Sequence, residues 1–255
     1  MSTFILKLIA IISMTIDHVG AAIGTTYING NLYLSGLIPL NVYNILRGIG
    51  RIAFPIYCYL IVEGYYHTRS VKKYVLRLFI FSLISQVPFS LAFLKNATNF
   101  SDLNVYFTLM FGLICVYLAD EARKKFKECK ETGASAVTYT VGVPIAIILI
   151  MIISMIISTD YSAFGIMLIL LFYLFRTDES KPLTDKENAK KFIWLFISIA
   201  TITVVFSNTV ELLGLFAMFP IGFHNHKKGP SMKYVFYVYY PVHLLVLYGI
   251  FTMLS

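Results

Sequence analysis

Two adjacent ionisable residues, Asp17 and His18, lie inside the first hydrophobic stretch of the chain. An ionisable side chain in hydrocarbon costs about 3 kcal/mol, so each must face a cavity or a partner. A buried histidine beside a carboxylate suits general-base chemistry, because the carboxylate fixes the histidine tautomer and stabilises the imidazolium. Neighbouring helical positions point about 100° apart, however, so the side chains of Asp17 and His18 face different directions. Polar residues can also join membrane helices by hydrogen bonds without taking part in chemistry. The pair therefore predicts either a general base for an amine or hydroxyl acceptor, or a structural contact.

Further charged residues fall in and around the second hydrophobic stretch. Arg47 and Arg51 are one helical turn apart toward the same end as Asp17, so an arginine there could bind a phosphate or pair with Asp17. A structural salt bridge between Arg51 and Asp17 is the alternative. Glu63 and His67 are one helical turn apart near the other end, and Arg69 follows them. A phosphate-bearing cofactor would meet basic residues there. For Arg69, a plain membrane-interface anchor is the alternative interpretation.

His243 is a second histidine within a hydrophobic stretch, in the last such segment, two residues after Pro241. It predicts either a satisfied core residue or one wall of a cavity shared with His18. The three cysteines, Cys58, Cys115 and Cys129, show neither metal-ligand spacing nor a disulfide framework. We therefore expect no metal to be required.

The composition shows which elements must position these residues. Hydrophobic residues make up 58% of the 255 and charged residues 13%, which excludes an ordinary soluble surface. A bilayer core is roughly 30 Å thick and needs about 20 mostly apolar residues per crossing helix. The chain offers nine such cores in succession: Phe4 to Ile23, Ile49 to Tyr65, Leu78 to Leu94, Val105 to Ala119, Val137 to Ser158, Tyr161 to Phe175, Phe192 to Phe206, Leu212 to Phe223 and Tyr234 to Leu254. The predicted fold is an all-α, polytopic transmembrane bundle of about nine helices, forming a single domain over residues 1–255.

The distribution of basic residues predicts the orientation of this bundle. With the amino terminus in the cytoplasm, all but three of the 21 Lys and Arg fall on the inner side, and the exceptions are Arg47, Arg51 and Lys95. Basic residues concentrate on the cytoplasmic side of membrane proteins, so the carboxyl terminus is expected outside. The same rule explains the net charge of +8 without a nucleic acid partner.

Five short motifs, in order along nearly the whole chain, resemble those of the TraX family. They are Met14-Thr15-Ile16-Asp17-His18, Arg51-Ile52-Ala53-Phe54-Pro55, Glu63-Gly64-Tyr65-Tyr66-His67-Thr68-Arg69, Gln86-Val87-Pro88-Phe89 and Tyr240-Pro241-Val242-His243-Leu244. The family is named for a member that acetylates the amino terminus of F-type conjugative pilin, and it is similar to wider groups of membrane acyltransferases that use acyl-CoA. The resemblance implies acyl transfer.

The same resemblance implies a set of site residues. The catalytic positions would be His18, Asp17 and His243, and acetyl-CoA would be bound by Arg51, Glu63, His67, Arg69 and Asn225. Asn225 and Gly229 match an inner loop of the family, from which this chain departs because His224, His226 and two lysines lengthen and charge the segment.

These observations combine into one predicted function. The chain is expected to be a multi-pass protein of the plasma membrane, where it transfers an acetyl group from cytoplasmic acetyl-CoA to an amine or hydroxyl of an envelope-exposed peptide or glycan. His18 would be the general base, and Asp17 would orient it. A pantetheine arm of roughly 20 Å could reach His18 from the cytoplasm, given the 1.5 Å rise per helical residue. The alternatives are a small-solute transporter, a lipid or glycan flippase, and a non-catalytic scaffold.

Overall fold

A computed structural model describes residues 1–28, 31–132, 136–176, 184–206, 210–230 and 233–254. These residues are mostly helical. The α-helices are α1 (Thr3–Gly24), α2 (Leu40–Gly50), α3 (Ala53–His67), α4 (Val71–Leu94), α5 (Val105–Thr132), α6 (Val143–Ile156), α7 (Ser162–Leu174), α8 (Asp185–Phe206), α9 (Met218–Gly222) and α10 (Lys233–Leu254). A π-helical turn, Thr138–Gly142, precedes α6, and a 3-10 helix, Glu211–Ala217, precedes α9.

Within the part of the chain that the structure describes, six helical segments are long and apolar enough to cross a membrane. They are Thr3–Gly24, Leu40–His67, Val71–Leu94, Val105–Lys130, Thr138–Ile156 and Tyr234–Leu254. Of the other three predicted cores, two correspond to the shorter apolar helices Ser162–Leu174 and Glu211–Gly222, and the third lies within α8. The protein is thus a helical, multi-pass membrane protein. The count of nine crossings and the sides of the two termini stay predictions.

The segment from Gly24 to Asn44 is uncharged and rich in Asn, Gly and Tyr, so its sequence predicts an outer loop. In the structure this segment is partly ordered into strands. Strands β1 (Thr25–Ile28) and β2 (Asn31–Leu34) form an antiparallel hairpin in which Thr25 is opposite Leu34. In the sequence, Asn29-Gly30, the dipeptide preferred in two-residue hairpin loops, separates them. The helix α2 then begins at Leu40. Apart from this two-stranded sheet, the regular structure of the described residues is helical, so the all-α prediction holds for all of the described fold except the hairpin.

The second predicted helix is broken beside Arg51. Helix α2 ends at Gly50 and α3 begins at Ala53, with Pro55 in the first turn of α3. Proline fits the first turn of a helix, where backbone N–H groups have no intrahelical partner. The interruption places Arg51 at the C-terminal cap of α2.

Helices α1, α3, α5, α7 and α10 form most of the packed interior. Helix α1 packs against α2, α3 and α10, and α5 packs against α4 and α7. Leu6, Ile56, Leu113 and Ile169 are fully buried. Helix α6 lies at the periphery, because Ser154 is its one buried residue. The apolar side chains that α6 leaves exposed are suited to contact lipid.

Side-chain and backbone contacts group the loops into two ends of the bundle. The N-terminal face is defined by contacts between Thr3 and His224, Glu63 and Arg176, and Tyr65 and Asp120. The distal face is defined by contacts between Arg51 and Glu211, Lys95 and Ala22, and Leu103 and Ser158. Arg51 and Glu63 are twelve residues apart along α2 and α3, so the two faces are separated by about 18 Å at this point.

Candidate functional site

His18 and His243 meet toward the distal face, between α1 and α10. Nδ1 of His18 lies 2.7 Å from Nε2 of His243, and the two rings are nearly parallel, with centroids 5.0 Å apart. His243 is 7% exposed. Phe93 packs edge-on against His18 at 5.1 Å. The two intramembrane histidines are therefore in direct contact, and the cavity predicted between them stays a prediction.

The hydrogen bonds of this histidine pair define its tautomers. Nδ1 of His243 lies 2.9 Å from the carbonyl oxygen of Tyr239, one helical turn earlier. A carbonyl only accepts, so Nδ1 of His243 carries the proton and Nε2 of the neutral ring is an acceptor. His18 must then donate from Nδ1 to His243. This leaves the lone pair of a neutral His18 on Nε2, the form that a general base requires.

Tyr239 supports the orientation of His243. Its ring stacks on the His243 ring, with centroids 5.0 Å apart and planes 9° apart. The Tyr239 hydroxyl lies 2.7 Å from Thr15 Oγ1, which itself donates to the Ile11 carbonyl. Tyr239 therefore donates to Thr15. This contact ties α10 to α1 one turn below His18.

Asp17 is bound by two arginines. Arg47 Nη1 donates to Asp17 Oδ2 at 2.7 Å, and Arg51 Nη2 donates to Asp17 Oδ1 at 3.1 Å. The prediction that Asp17 orients His18 differs from this geometry, because His243 orients His18 and the arginines engage both oxygens of Asp17. The physical reason is the turn of about 100° between adjacent helical positions. The alternative prediction, a salt bridge between Arg51 and Asp17, is confirmed.

Arg51 extends this ionic network across the distal face. It is 8% exposed, and its Nη1 donates to Glu211 Oε1 at 2.9 Å and to the Tyr161 hydroxyl at 3.1 Å. Its Nε donates to the Arg47 carbonyl at 3.2 Å. Asp160 is adjacent, and burial raises the pKa of its carboxyl to about 6 despite the nearby Arg51. The network accounts for Arg51 without a bound phosphate.

Close packing at Gly50 allows Asp17 to reach the arginines. A Cβ atom at Gly50 would overlap the Cβ and Cγ atoms of Asp17. At Gly20, one helical turn further along α1, a Cβ atom would lie 3.1 Å from Leu46 Cβ. Glycine at both positions lets α1 and α2 approach closely, as small residues do between membrane helices.

Glu63 is the centre of a second polar cluster, at the N-terminal face. It is 2% exposed. Arg176 Nε donates to Glu63 Oε1 at 3.0 Å, and His226 Nδ1 lies 2.8 Å from Glu63 Oε2. His67 Nε2 lies 3.7 Å from the same Oε2. His224 is close to His226, with ring centroids 4.6 Å apart. Burial and the neighbouring His226 lower the pKa of His224 to about 4.

The predicted acetyl-CoA residues are divided between the two faces. Arg51 is at the distal face, whereas Glu63, His67, Arg69 and Asn225 are at the N-terminal face. Arg69 is exposed. The backbone N–H of Asn225 donates to the Met1 carbonyl at 2.8 Å, and its Oδ1 accepts from the Lys227 N–H at 3.2 Å. Asn225 therefore holds the loop in place, and the structure does not unite the five residues in one pocket.

A partly open pocket at the N-terminal face lies between α3, α7 and α8. Its lining includes the cations Arg176 and Lys191, the ring of Trp194, and His226. Trp194 stacks on Phe175 with ring centroids 3.9 Å apart. Cations beside a flat aromatic surface suit a ligand that carries phosphates and an aromatic base.

Sequence reasoning missed several members of both clusters. Glu211, Tyr161 and Arg176 were not among the predicted site residues, although Glu211 is a lone acid beside a hydrophobic stretch, which is a usable signal. His224 and His226 were noted as a departure from the family loop and not as site residues. Their proximity to Glu63 depends on the packing of the loop after α9 against α3, which no local pattern encodes.

The membrane-spanning helices and buried polar centres define a multi-pass helical membrane protein with functional groups inside the bundle. The profile of the TraX protein family matches residues 2–251, so the chain belongs to the TraX family. The resemblance inferred from the motifs is thereby confirmed. A similar protein is the "Probable fimbrial assembly protein FimC, serogroup H1" of Dichelobacter nodosus, which is 27% identical over 259 residues, or 96% of this chain and 94% of that protein. No solved structure matches the chain significantly.

Proposed function

We propose that this protein is an acyltransferase of the plasma membrane that transfers the acetyl group of acetyl-CoA to the amino terminus of an envelope-exposed fimbrial or pilin subunit. The observation that carries the proposal is the contact of His18 with His243, because its hydrogen bonds leave Nε2 of His18 as a base. Membership of the TraX family and the fimbrial assembly role in the name of the similar protein support a pilin acceptor.

The chemistry assigned to His18 is proton transfer. As the acceptor amine attacks the thioester carbonyl, the C–N bond forms and Nε2 of His18 accepts the amine proton. The C–S bond then breaks, and the imidazolium returns the proton to the leaving thiolate. His243 accepts the Nδ1 hydrogen bond of His18 throughout and so shares the developing positive charge. The products are an acetylated amine and free CoA.

We assign the acyl donor to the second polar region. Arg176 and Lys191 are cations that would attract the phosphates of acetyl-CoA, and Trp194 is an aromatic ring beside them. The exposed Arg69 lies on the same face. The two faces are about 18 Å apart along α2 and α3, a distance comparable to the pantetheine arm. The donor would therefore bind at the N-terminal face and present its thioester toward His18.

Purified protein incubated with isotope-labelled acetyl-CoA and a fimbrial subunit peptide tests the proposal. We expect label on the peptide amino terminus with the unaltered chain and its loss with His18→Gln. Ile16→Val, two positions earlier on α1, is the matched folding control and should retain transfer. Unchanged transfer by His18→Gln would refute the assigned role. No labelling of any acceptor, together with solute counterflow in liposomes, would favour the transporter alternative.

A further inference from the structure

A group of three potential metal ligands lies at the N-terminal face. Glu63 comes from the last turns of α3, and His224 and His226 come from the loop after α9. Glu63 and His224 are 2% and 3% exposed, and His226 is partly buried. One ligand atom from each residue lies within 4.8 Å of those of the other two. Among the described residues this is the group whose donor atoms are close enough to share one ion.

The chemistry of this donor set matches a transition metal. Two imidazoles and one carboxylate, with a fourth position left open, are a recurrent set of zinc ligands. Bonds of about 2.0–2.2 Å place neighbouring tetrahedral ligand atoms about 3.4 Å apart. Glu63 Oε2 and His226 Nδ1 lie 2.8 Å apart, so binding an ion requires this pair to open slightly. All ligand atoms of the group lie within 4.8 Å of one another, so the most distant pair must move closer.

Neighbouring groups hold the ligands in position. Arg176 donates to Oε1 of Glu63, which leaves Oε2 on the histidine side. The Arg176 guanidinium also lies over the ring of Tyr66, 4.1 Å from its centroid. The two nitrogens of His224 contact the Tyr59 hydroxyl at 3.0 Å and Thr3 Oγ1 at 3.1 Å. A metal would replace one of these contacts, and the other would orient the ring, as outer-shell partners of zinc histidines do.

We propose that Glu63, His224 and His226 bind one divalent transition-metal ion of the Zn²⁺ type. The ion would join the loop after α9 to α3, beside the start of α1, where Met1 and Thr3 already exchange backbone hydrogen bonds with Asn225 and Lys227. This site is separate from the histidine pair at the distal face. It revises the expectation that no metal is involved, and it stands independently of acetyl transfer.

Metal content measures the proposal directly. The full-length chain, purified without a polyhistidine tag, is stripped with a chelator, dialysed against Zn²⁺ and analysed by elemental mass spectrometry. We expect one equivalent of Zn²⁺ in the unaltered chain and at least a tenfold weaker affinity in Glu63→Gln and in His226→Ala. Glu121→Gln is the matched control, because this carboxylate follows Asp120 on the same face, pairs with Lys124 and lies outside the ligand group, and it should retain the ion.

A second measurement separates lost binding from lost folding. Zn²⁺ should raise the thermal unfolding temperature of the unaltered chain and of Glu121→Gln, since a ligand that binds the native state stabilises it. It should not raise that of Glu63→Gln or His226→Ala, even where these variants unfold cooperatively. Co²⁺ should give the visible absorption of a tetrahedral site in the unaltered chain. Absence of stoichiometric metal from the unaltered chain, or full retention by both ligand variants, would overturn the proposal.

Discussion

His18 Nδ1 and His243 Nε2 are hydrogen-bonded at 2.7 Å although 225 positions separate the two residues in the chain. The contact joins the first and last described helices and converts two isolated intramembrane histidines into a pair. Because His243 donates its own Nδ1 proton to the Tyr239 carbonyl, the direction of the hydrogen bond is determined. The base of the proposed reaction therefore depends on a residue at the other end of the sequence.

Replacing His243 should impair the proposed reaction without removing its base. In His243→Phe, His18 loses the acceptor that holds its proton on Nδ1, so a fraction of the rings carries that proton on Nε2 and cannot act. We expect kcat for acetyl transfer to fall by about 10²-fold, within the range of general-base effects, with KM for acetyl-CoA little changed. The control is Tyr248→Phe, five residues after His243 on α10, which should leave kcat unchanged. A change confined to KM would contradict the tautomer role.

Asp17 should stabilise the fold through Arg51 more than through His18. In Asp17→Asn, the buried Arg51 retains Glu211 but loses the carboxylate bound to its Nη2. Leaving a buried charge poorly compensated costs about 3 kcal/mol. Thermal unfolding in detergent measures the loss.

The matching double variant distinguishes charge from packing. Asp17→Asn combined with Arg51→Met removes both members of the pair, so it should be more stable than Asp17→Asn alone. If the stability losses of Asp17→Asn and of Arg51→Met alone simply add in the double variant, the ion pair is not the source of the stability loss in Asp17→Asn.

The stability of the distal face should depend on pH through Asp160. Burial raises the pKa of this carboxyl from its ordinary 3.8 to about 6, so the folded state binds a proton more tightly than the unfolded chain. This contribution is fully present below pH 4 and is lost as the pH rises through 6. Asp160→Asn cannot ionise and should be more stable than the unaltered chain by about 3 kcal/mol at neutral pH.

Unfolding measured across the pH range tests this assignment. The stabilising effect of Asp160→Asn should disappear as the pH falls toward 4, because the carboxyl is then protonated in both states. The exposed Asp102 is on the same face, and Asp102→Asn should show no comparable effect. Equal stabilisation by Asp160→Asn at all pH values would contradict an electrostatic cause.

Gly50 should tolerate no side chain. In Gly50→Ala the new Cβ atom would overlap the side chain of Asp17, so α1 and α2 must separate and the salt bridges to Arg47 and Arg51 must lengthen. Overpacking of this kind costs about 1–3 kcal/mol. Gly249→Ala is the control, because a Cβ atom there meets nothing within 4 Å and alanine favours helix. Comparable unfolding temperatures for the two variants would show that the α1–α2 contact is not tight.

Hydrophobic length and charge made the helical membrane class predictable, because a bilayer imposes the same requirement on every crossing segment. The hairpin after α1 was missed, since its short strands follow a long apolar helix and were interpreted as a polar loop. The break between α2 and α3 was foreseen in part, because Pro55 removes a backbone donor and opens a place for a kink in this hydrophobic stretch. The hairpin carries no such marker within a hydrophobic pattern.

The sequence by itself determined that His18, Asp17, Arg51, Glu63 and His243 need partners, because charge and polarity are costly in hydrocarbon wherever they occur. It did not determine which partners. Helical periodicity relates residues three or four positions apart, whereas Asp17 with Arg47, His18 with His243, and Glu63 with His226 meet through the packing of distant segments. Only the tertiary structure decided those pairs. It thereby gave His18, the proposed base, a different partner from the arginines that bind the adjacent Asp17.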